Sequence, residues 1–510
     1  MNLNKKLIKK ANLGVTVIIV IGILAVANFF SYQIFYRWDL TQNKDYSISK
    51  ASKNTVGELD DVVNIKAYFS EELPSQYITL RQEVGDILDE YVNYSNGKIK
   101  VEFIDPGDDE DVKSELYMIG IPELQFNVVE KDKFEIAKGY LGIAVEYGGK
   151  TEAIPVVQST QNLEYQITLA IKKAAGAEMA TIGFVTSNST ADLENEISAA
   201  YGELEKLYQI QKVDLVLEED VPADVNTLII LGPKEAFNEN QLQAIDAFLM
   251  RGGSLLIAAD GVNIGEGLTA SANNTGLNGL LENYGVKLNN DLVLDMSSAI
   301  VPFTQGFMTF STNYPFWPKI MPSGFDQDNA AVAKLESLVM PWASSVEILE
   351  DKINQDNKIS YLVRASKNSW IQQDNFNLNP QQAFAPSQNN GGKVLAASIF
   401  GKFTSPYGSG STDAGRLIVV GDSDFIKDSF LRNMPDNLIF FQNLVDSLSL
   451  DEDLINIRSK GISERPIKEL SDSAKAAARY LNIFGVTVIV VIFGMARYYI
   501  RRRSRFMDEL

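Results

Sequence analysis

The sequence predicts an α/β protein framed by two membrane-spanning helices, and three observations carry that reading. Two uncharged apolar runs stand near the chain ends, each with basic residues on its outer side. Between them, short apolar strands alternate with amphipathic helical stretches, the pattern of layered sheets and helices. The 510 residues, 45% hydrophobic and 22% charged, suffice for two to four units with packed cores.

The first run, Leu13 to Phe30, is uncharged and mainly apolar, and so is the second, Tyr480 to Ala496. Both approach the roughly 20 residues that cross about 30 Å of hydrocarbon. Lys5, Lys6, Lys9 and Lys10 precede the first, while Arg497, Arg501, Arg502, Arg503 and Arg505 end or follow the second. Basic flanks stay on the cytoplasmic side, so both termini are expected inside and the bulk of the chain outside the inner membrane. Ala25-Val26-Ala27 fits a small-x-small cleavage pattern, but the run is longer than a usual signal core and Phe29, Phe30, Ile34 and Phe35 follow it. Gly14 and Gly22 in the first helix, and Asn482 and Gly485 in the second, permit close helix contact. The expected spans are residues 13–36 and 480–500, with basic cytoplasmic tails at 1–12 and 501–510.

Of the net charge of −20, residues 1–37 contribute +5 and residues 480–510 contribute +3, which leaves −28 on residues 38–479. A domain this acidic repels nucleic acid phosphates and anionic lipid headgroups. Cysteine and histidine are absent. That removes disulfides, thiol nucleophiles, Cys or His zinc sites and every histidine-based acid/base scheme.

Residues 37–178 read as one domain. Val62 to Phe69 places Val63, Ile65, Ala67 and Phe69 on one strand face. Pro74 opens a helix through about Tyr94, with Ile78, Val84, Ile87, Leu88 and Tyr91 mostly at three- and four-residue steps. Ile99 to Ile104 is a second strand, stopped by Asp105-Pro106-Gly107, and the unit predicts parallel strands with a right-handed crossover. Leu141 to Glu146 and Thr151 to Val157 form a hairpin across Gly148-Gly149, and a helix from Leu163 to Ala174 closes the domain. The order β-α-β-β-β-α is thioredoxin-like, with no cysteine for redox chemistry.

Residues 179–450 predict a doubly wound α/β domain. Its strands are Thr181 to Val185, Val213 to Leu217, Thr227 to Leu231, Ser254 to Ala258, Lys393 to Ile399 and Arg416 to Val420. Helices fall near 192–209, 238–250 and Pro435 to Leu448. Residues 300–390, rich in Asn, Gln, Ser, Pro and aromatics, are an irregular insertion, either a subdomain or long loops over one face. Residues 451–479 read as a polar stalk.

Gly149-Lys150-Thr151 resembles the end of a phosphate loop, but the first glycine of that motif is replaced by Ala144 and both flanks are strand-like. A hairpin turn explains it better, so the chain is not its own ATPase. Asp260, Asp422 and Asp424 lie at the expected carboxyl ends of strands, where open α/β sheets bind ligands, and a carboxylate pair there could hold a cation or a polyol. Turn and helix-cap chemistry explains the same residues equally simply. Gly265 to Gly276 reads as a flexible loop and Gly461 to Pro466 as part of the stalk. No Gly-x-Ser-x-Gly elbow is present, and no cofactor is implied.

Arg37-Trp38-Asp39-Leu40-Thr41 with Tyr46-Ser47-Ile48-Ser49 sits just beyond the first span. Val101-Glu102-Phe103-Ile104-Asp105-Pro106, Tyr140-Leu141-Gly142, Tyr147 to Glu152, and Leu163-Glu164-Tyr165 with Thr168 and Ile171 follow in order. Together these resemble the extracytoplasmic auxiliary subunit of the gliding-motility type of ABC transporter, often labelled its substrate-binding protein. The likeness covers 37–175 well and 180–260 and 416–450 more loosely, with Arg251-Gly252-Gly253 its clearest later point. It implies a multispan ABC permease and a cytoplasmic ABC ATPase as partners, and it brings neither a catalytic residue nor a gliding role. The expectation is a non-enzymatic accessory subunit. An anchored hydrolase using carboxylates, or a structural envelope scaffold, are the alternatives.

Overall fold

Ser49 opens the fold by capping α1 (Lys50–Gly57), its hydroxyl accepting from Ser52 N at 3.2 Å. The computed structural model describes residues 47–449 except 72, 131–132, 161, 177–178, 219, 306–307, 383, 385–390 and 433, together with residues 19, 20, 22, 23, 479, 493–495, 497 and 498. The chain divides into two compact units, 1–463 and 464–510. Both expected membrane spans lie almost wholly outside the described residues, as do Gly14, Asn482, Gly485 and the stalk. Among the described residues no helix is long and apolar enough to cross a membrane.

The β1 strand (Val63–Phe69) buries Val63, Ile65, Ala67 and Phe69, as its alternation predicts. Next, α2 (Ser75–Tyr94) packs Leu80, Val84, Ile87, Leu88 and Tyr91 against it, but Ile78 is exposed, unlike the other residues of its expected stripe. Parallel to β1 runs β2 (Ile99–Ile104). Two elements absent from the expected order come next. One is α3 (Glu110–Met118), whose only fully buried residue is Leu116 and whose apolar periodicity is therefore too faint to read. The other is a hairpin of β3 (Leu124–Glu130) and β4 (Lys133–Gly139), paired only with itself. Antiparallel β5 (Leu141–Tyr147) and β6 (Lys150–Ile154) complete a sheet of order β2-β1-β5-β6. Their turn places Gly148 at φ +57° and Gly149 at φ +83°, a region that side-chain-bearing residues avoid.

Closing the sheet is α4 (Leu163–Ala174), which also carries a buried polar network. Glu164 Oε1 accepts from Ser49 N at 2.5 Å and Ser52 Oγ at 2.7 Å. Tyr91 Oη donates to Glu164 O at 2.8 Å, and Thr168 Oγ1 lies 2.9 Å from Ser52 Oγ. The residues that carried the resemblance here thus join α1, α2 and α4 in the core.

The larger sheet starts with β7 (Thr181–Val185), then α5 (Ser198–Glu205) and β8 (Gln209–Val213). The expected strand at Val213 to Leu217 sits four residues earlier. As an edge strand β8 is mostly polar, whereas Val216 and Leu217 are exposed in the turn beyond it. There follow β9 (Val225–Leu231), α6 (Glu239–Met250) and β10 (Ser254–Ala258). Arg251 latches the end of α6 by donating to Val221 O at 2.8 Å and Pro222 O at 2.5 Å.

The stretch read as a flexible loop is instead mostly a hairpin, β11 (Val262–Gly265) with β12 (Thr269–Ala272). Beyond α7 (Asn278–Leu281) and β13 (Val286–Leu288) the insertion is largely β structure. After β14 (Leu292–Asp295), which precedes the expected bounds, it comprises β15 (Ser298–Gln305), β16 (Met308–Ile320), β17 (Leu338–Val339), β18 (Val346–Ile348), β19 (Lys358–Arg364) and β20 (Ser369–Gln372). It has a core of its own, in which Tyr314, Phe316 and Trp370 are buried and Trp317, Trp342 and Phe384 pack against them. One strand, β19, leaves this core to join the main sheet.

The chain then adds β21 (Val394–Thr404), β22 (Ser411–Val420), α8 (Asp428–Leu431) and α9 (Pro435–Ser449). The seven strands run β19-β21-β22-β10-β9-β7-β8, of which β22, β10, β9, β7 and β8 are parallel. Helices cover both faces. Ile229, Leu256 and Ile418 pack with α5 and α9, while Leu228, Leu255 and Leu417 pack with α6. Strands buried on both sides read as continuous apolar runs, which is why they were legible.

Candidate functional site

Parallel pairing of β10 with β22, Ala258 beside Val420, brings Asp260 and Asp422 to the same sheet edge. Asp260 accepts from the one residue Ser423 twice, Oδ1 from its N–H at 2.7 Å and Oδ2 from its hydroxyl at 2.5 Å. Asp422 Oδ1 accepts from Asp424 N at 2.7 Å and Phe425 N at 3.2 Å, closing the turn that leaves the strand. Its Oδ2 is buried and has no hydrogen-bond partner. Asp424 Oδ1 pairs with Lys427 Nζ at 2.6 Å. The three carboxylates expected at strand ends therefore form one cluster, joined by Ser423 and Lys427.

Burial pushes Asp260 up to about 6, the charge of Asp424 adding to the shift and the bonds from Ser423 opposing it. Burial lifts Asp422 well above the usual carboxylate range, reinforced by Asp260 and Asp424. For Lys427, burial opposes the charged form, but the attraction of Asp424 outweighs it and raises the group overall. The unpartnered Oδ2 and the neighbouring carboxylates both make the ionised form of Asp422 costly. Among the described residues no group of three or more carboxylates has the arrangement to hold a metal ion.

The floor of this edge is packed rather than open. Ser344 N donates to Gly421 O at 2.6 Å, and Gly261 N donates to Ser344 Oγ at 3.0 Å. A Cβ on Gly261 would lie 2.0 Å from Asn289 O, and one on Gly421 would lie 2.1 Å from Ser344 O. Both glycines are there because another backbone presses on them.

The sheet order also moves the place where a ligand crevice is expected. Taken in chain order, the parallel strands run second-first-third-fourth-fifth, so neighbouring connections diverge between β7 and β9, not between β10 and β22. At that switch point Ala191 N donates to Leu231 O at 2.8 Å, and Lys234 N and Glu235 N both donate to Asn188 O at 3.1 Å. The loop after β7 thus folds across the crevice, and Ser187 Oγ beneath it is buried without a partner.

Asp260 and Ser423 are one of four similar clamps. Asp291 takes the N–H and hydroxyl of Ser345, at 2.8 and 2.7 Å. Asp295 takes those of Ser366, at 2.5 and 2.6 Å. Asp428 takes those of Ser198, at 2.9 and 2.6 Å, and caps α5 from a segment 230 residues away. Ser423 stood in the Gly421 to Asp424 motif, but sequence reasoning had no access to its pairing with Asp260, to Ser344 or to the other clamps. Lys427, three residues beyond Asp424 in the first turn after a strand, carried a readable signal.

Comparison with known proteins identifies the family. A family model described as an ABC-type uncharacterized transport system, an auxiliary component, matches residues 180–455. A second, a domain of unknown function, matches residues 42–146. An uncharacterized protein of Borreliella burgdorferi is 28% identical over 488 residues, 92% of this chain and 94% of that one. Among solved structures, the IFT52 N-terminal domain is 17% identical with a TM-score of 0.36, covering 54% of this chain and 99% of its own. A cold-adapted beta-galactosidase from Rahnella sp. R3 is 10% identical with a TM-score of 0.27, covering 58% of this chain and 36% of its own. Scores that low bear on neither fold nor function. The family match, by contrast, spans more than half of the chain and the whole larger sheet, and the protein belongs to the auxiliary family of ABC-type uncharacterized transport systems.

Proposed function

We propose that the chain is a membrane-anchored, extracytoplasmic accessory subunit of an ABC transport system, of the gliding-motility type. In this reading it is not an enzyme, and it receives, gates or hands over cargo beside a multispan permease. ATP energy enters through a separate cytoplasmic ATPase. The observation that carries the reading is the match over residues 180–455 to the auxiliary ABC transport family. The Gly149-Lys150-Thr151 segment, which sits in the hairpin of β5 and β6, supplies no phosphate loop of the chain's own.

Double-pass anchoring in the inner membrane, with both termini cytoplasmic, is supported by the two apolar runs and their basic flanks. Exposed Ile19, Val20 and Ile23 in the first run, and Phe493 and Met495 in the second, suit a lipid-facing surface. A thioredoxin-like smaller domain is supported by the sheet order β2-β1-β5-β6, with its parallel pair and two antiparallel neighbours.

Purification of the tagged full-length chain in mild detergent tests the reading. A stoichiometric multispan permease and an ATPase with a phosphate loop are expected to co-purify, and a preparation lacking both even after crosslinking would sink it. One observation favours a second reading, a carboxylate-dependent hydrolase. Asp260 is held near 6, the range of a general acid or base.

A further inference from the structure

At the edge of the main sheet opposite the carboxylate cluster, three strands align a cation, an aromatic ring and a second cation in one row. Lys358 of β19 pairs with Phe400 of β21, which pairs with Arg416 of β22. Residues directly opposite across strands share a face. The two cations therefore stand two strand spacings apart, about 10 Å, with the ring between them. The Arg416 guanidinium lies 6.0 Å from the centroid of that ring.

Two residues along, on the same face, the next row is Ser360 beside Ser398. These rows, with the loop at Asn329 and the last turns of α9, enclose a cavity of about 220 Å³. At about 30 Å³ per water, that is room for roughly seven waters, so the occupant is a small molecule rather than a polymer segment.

The fold uses part of the polar lining of this cavity and leaves part of it to a ligand: one N–H of Asn329 and the two cations. Ser398 is 3% exposed and lines the cavity. Ser360 Oγ is held by Asp326 and by Asn329 Nδ2 at 3.2 Å, which fixes both hydroxyl and amide at the wall. Lys358 and Arg416 form no ion pair with any described carboxylate, on a region whose charge is −28. Asp328 is the one carboxylate among the lining residues, and Asp326 stands just behind the wall on Ser360 Oγ, so the two cations face two carboxylates. Two cations without an ion pair, a hydroxyl and an amide N–H suit an oxyanion that also carries hydroxyls, and the two nearby carboxylates disfavour any anion of more than one charge.

We propose that this cavity is a binding site for a small hydroxycarboxylate, its carboxylate held by Arg416 and Lys358 and its hydroxyls by Ser398, Ser360 and Asn329. The proposal stands apart from the transport reading and survives its failure. Isothermal titration of the detergent-solubilised full-length chain with sodium gluconate, at constant ionic strength, tests it. Saturable one-to-one binding is expected, at least tenfold weaker in Arg416→Gln and in Lys358→Gln, with no binding of neutral glucose. Lys358 is exposed, so its variant reports even if Arg416→Gln does not fold. The proposal is overturned by gluconate heats no larger than those of matched sodium chloride, or by unchanged affinity in a folded Lys358→Gln chain. Binding of inorganic phosphate in place of gluconate overturns the carboxylate assignment.

Discussion

Asp260→Asn separates a structural clamp from a charged ligand site. Asparagine keeps the shape, and its amide can accept from Ser423 N–H and donate to Ser423 Oγ, the two atoms Asp260 now holds. In the unfolded chain an aspartate titrates near 3.9, whereas in the fold Asp260 titrates at about 6. Between those values the folded state keeps a proton that the unfolded state has released, so stability falls as pH rises through the window and levels off above it. Two units at about 1.4 kcal/mol each give roughly 3 kcal/mol as the ceiling. The variant cannot ionise there. It is expected to match the natural chain near pH 4 and to be as much as about 3 kcal/mol more stable at pH 7.5. Urea unfolding followed by tryptophan fluorescence reads this directly, because three of the four tryptophans, Trp317, Trp342 and Trp370, lie in or against the insertion core. A variant less stable than the natural chain at pH 7.5, or one with an undiminished fall across the window, would refute the reasoning. Asp260 would then be an ionised group that the fold needs charged.

Three further outcomes are expected. Gly261→Ala drives a Cβ to 2.0 Å from Asn289 O and should destabilise the larger unit by about 3 kcal/mol, read as a lower melting temperature. Glu164→Ala strips Ser49 N and Ser52 Oγ of their acceptor and should cost about 2 to 3 kcal/mol, with Glu164→Gln recovering part of it in the same melt. Asp428→Ala removes the cap of α5 and should cost about 1 to 2 kcal/mol at neutral pH. For Asp428, burial opposes ionisation but the bonds from Ser198 and Ala199 outweigh it, holding the carboxyl below its usual range. The contribution of Asp428 is therefore present above the unfolded value and disappears as pH falls through the depressed one, so the variant and the natural chain should converge in acid.

How much was legible follows from where each residue's partners lie along the chain. Ser254 to Ala258 matches its strand to the residue because a run buried by its own sheet announces itself locally, and Ile99 to Ile104 matches through its alternation, although only Ile99 is buried. The β8 strand was misplaced because an edge strand shows polar residues to water, while the apolar Val216 and Leu217 beside it face solvent. The positions of Asp260, Asp422 and Asp424 at strand ends were readable, but their use was not. Ser423 reaches Asp260 across 163 positions, and no local pattern encodes that pairing. The location of the switch point was equally out of reach, since it depends on strand order. The insertion escaped because its aromatic residues pack with one another through short strands that lack a long period.

The position of β22 has a consequence for how the chain is made. It lies between β10 and β21, yet it begins at residue 411, whereas β10 ends at residue 258. At about 5 to 20 residues per second of synthesis, roughly 8 to 30 s separate the appearance of one strand from its central neighbour. Throughout that interval β10 presents an apolar, unpaired edge of the kind that recruits other chains. The insertion is the segment synthesised in between, and most of its aromatic core, with Tyr314, Phe316, Trp317, Trp342 and Trp370, is made before β22. Its early collapse would keep the nascent chain local and shorten the loop that β22 must close.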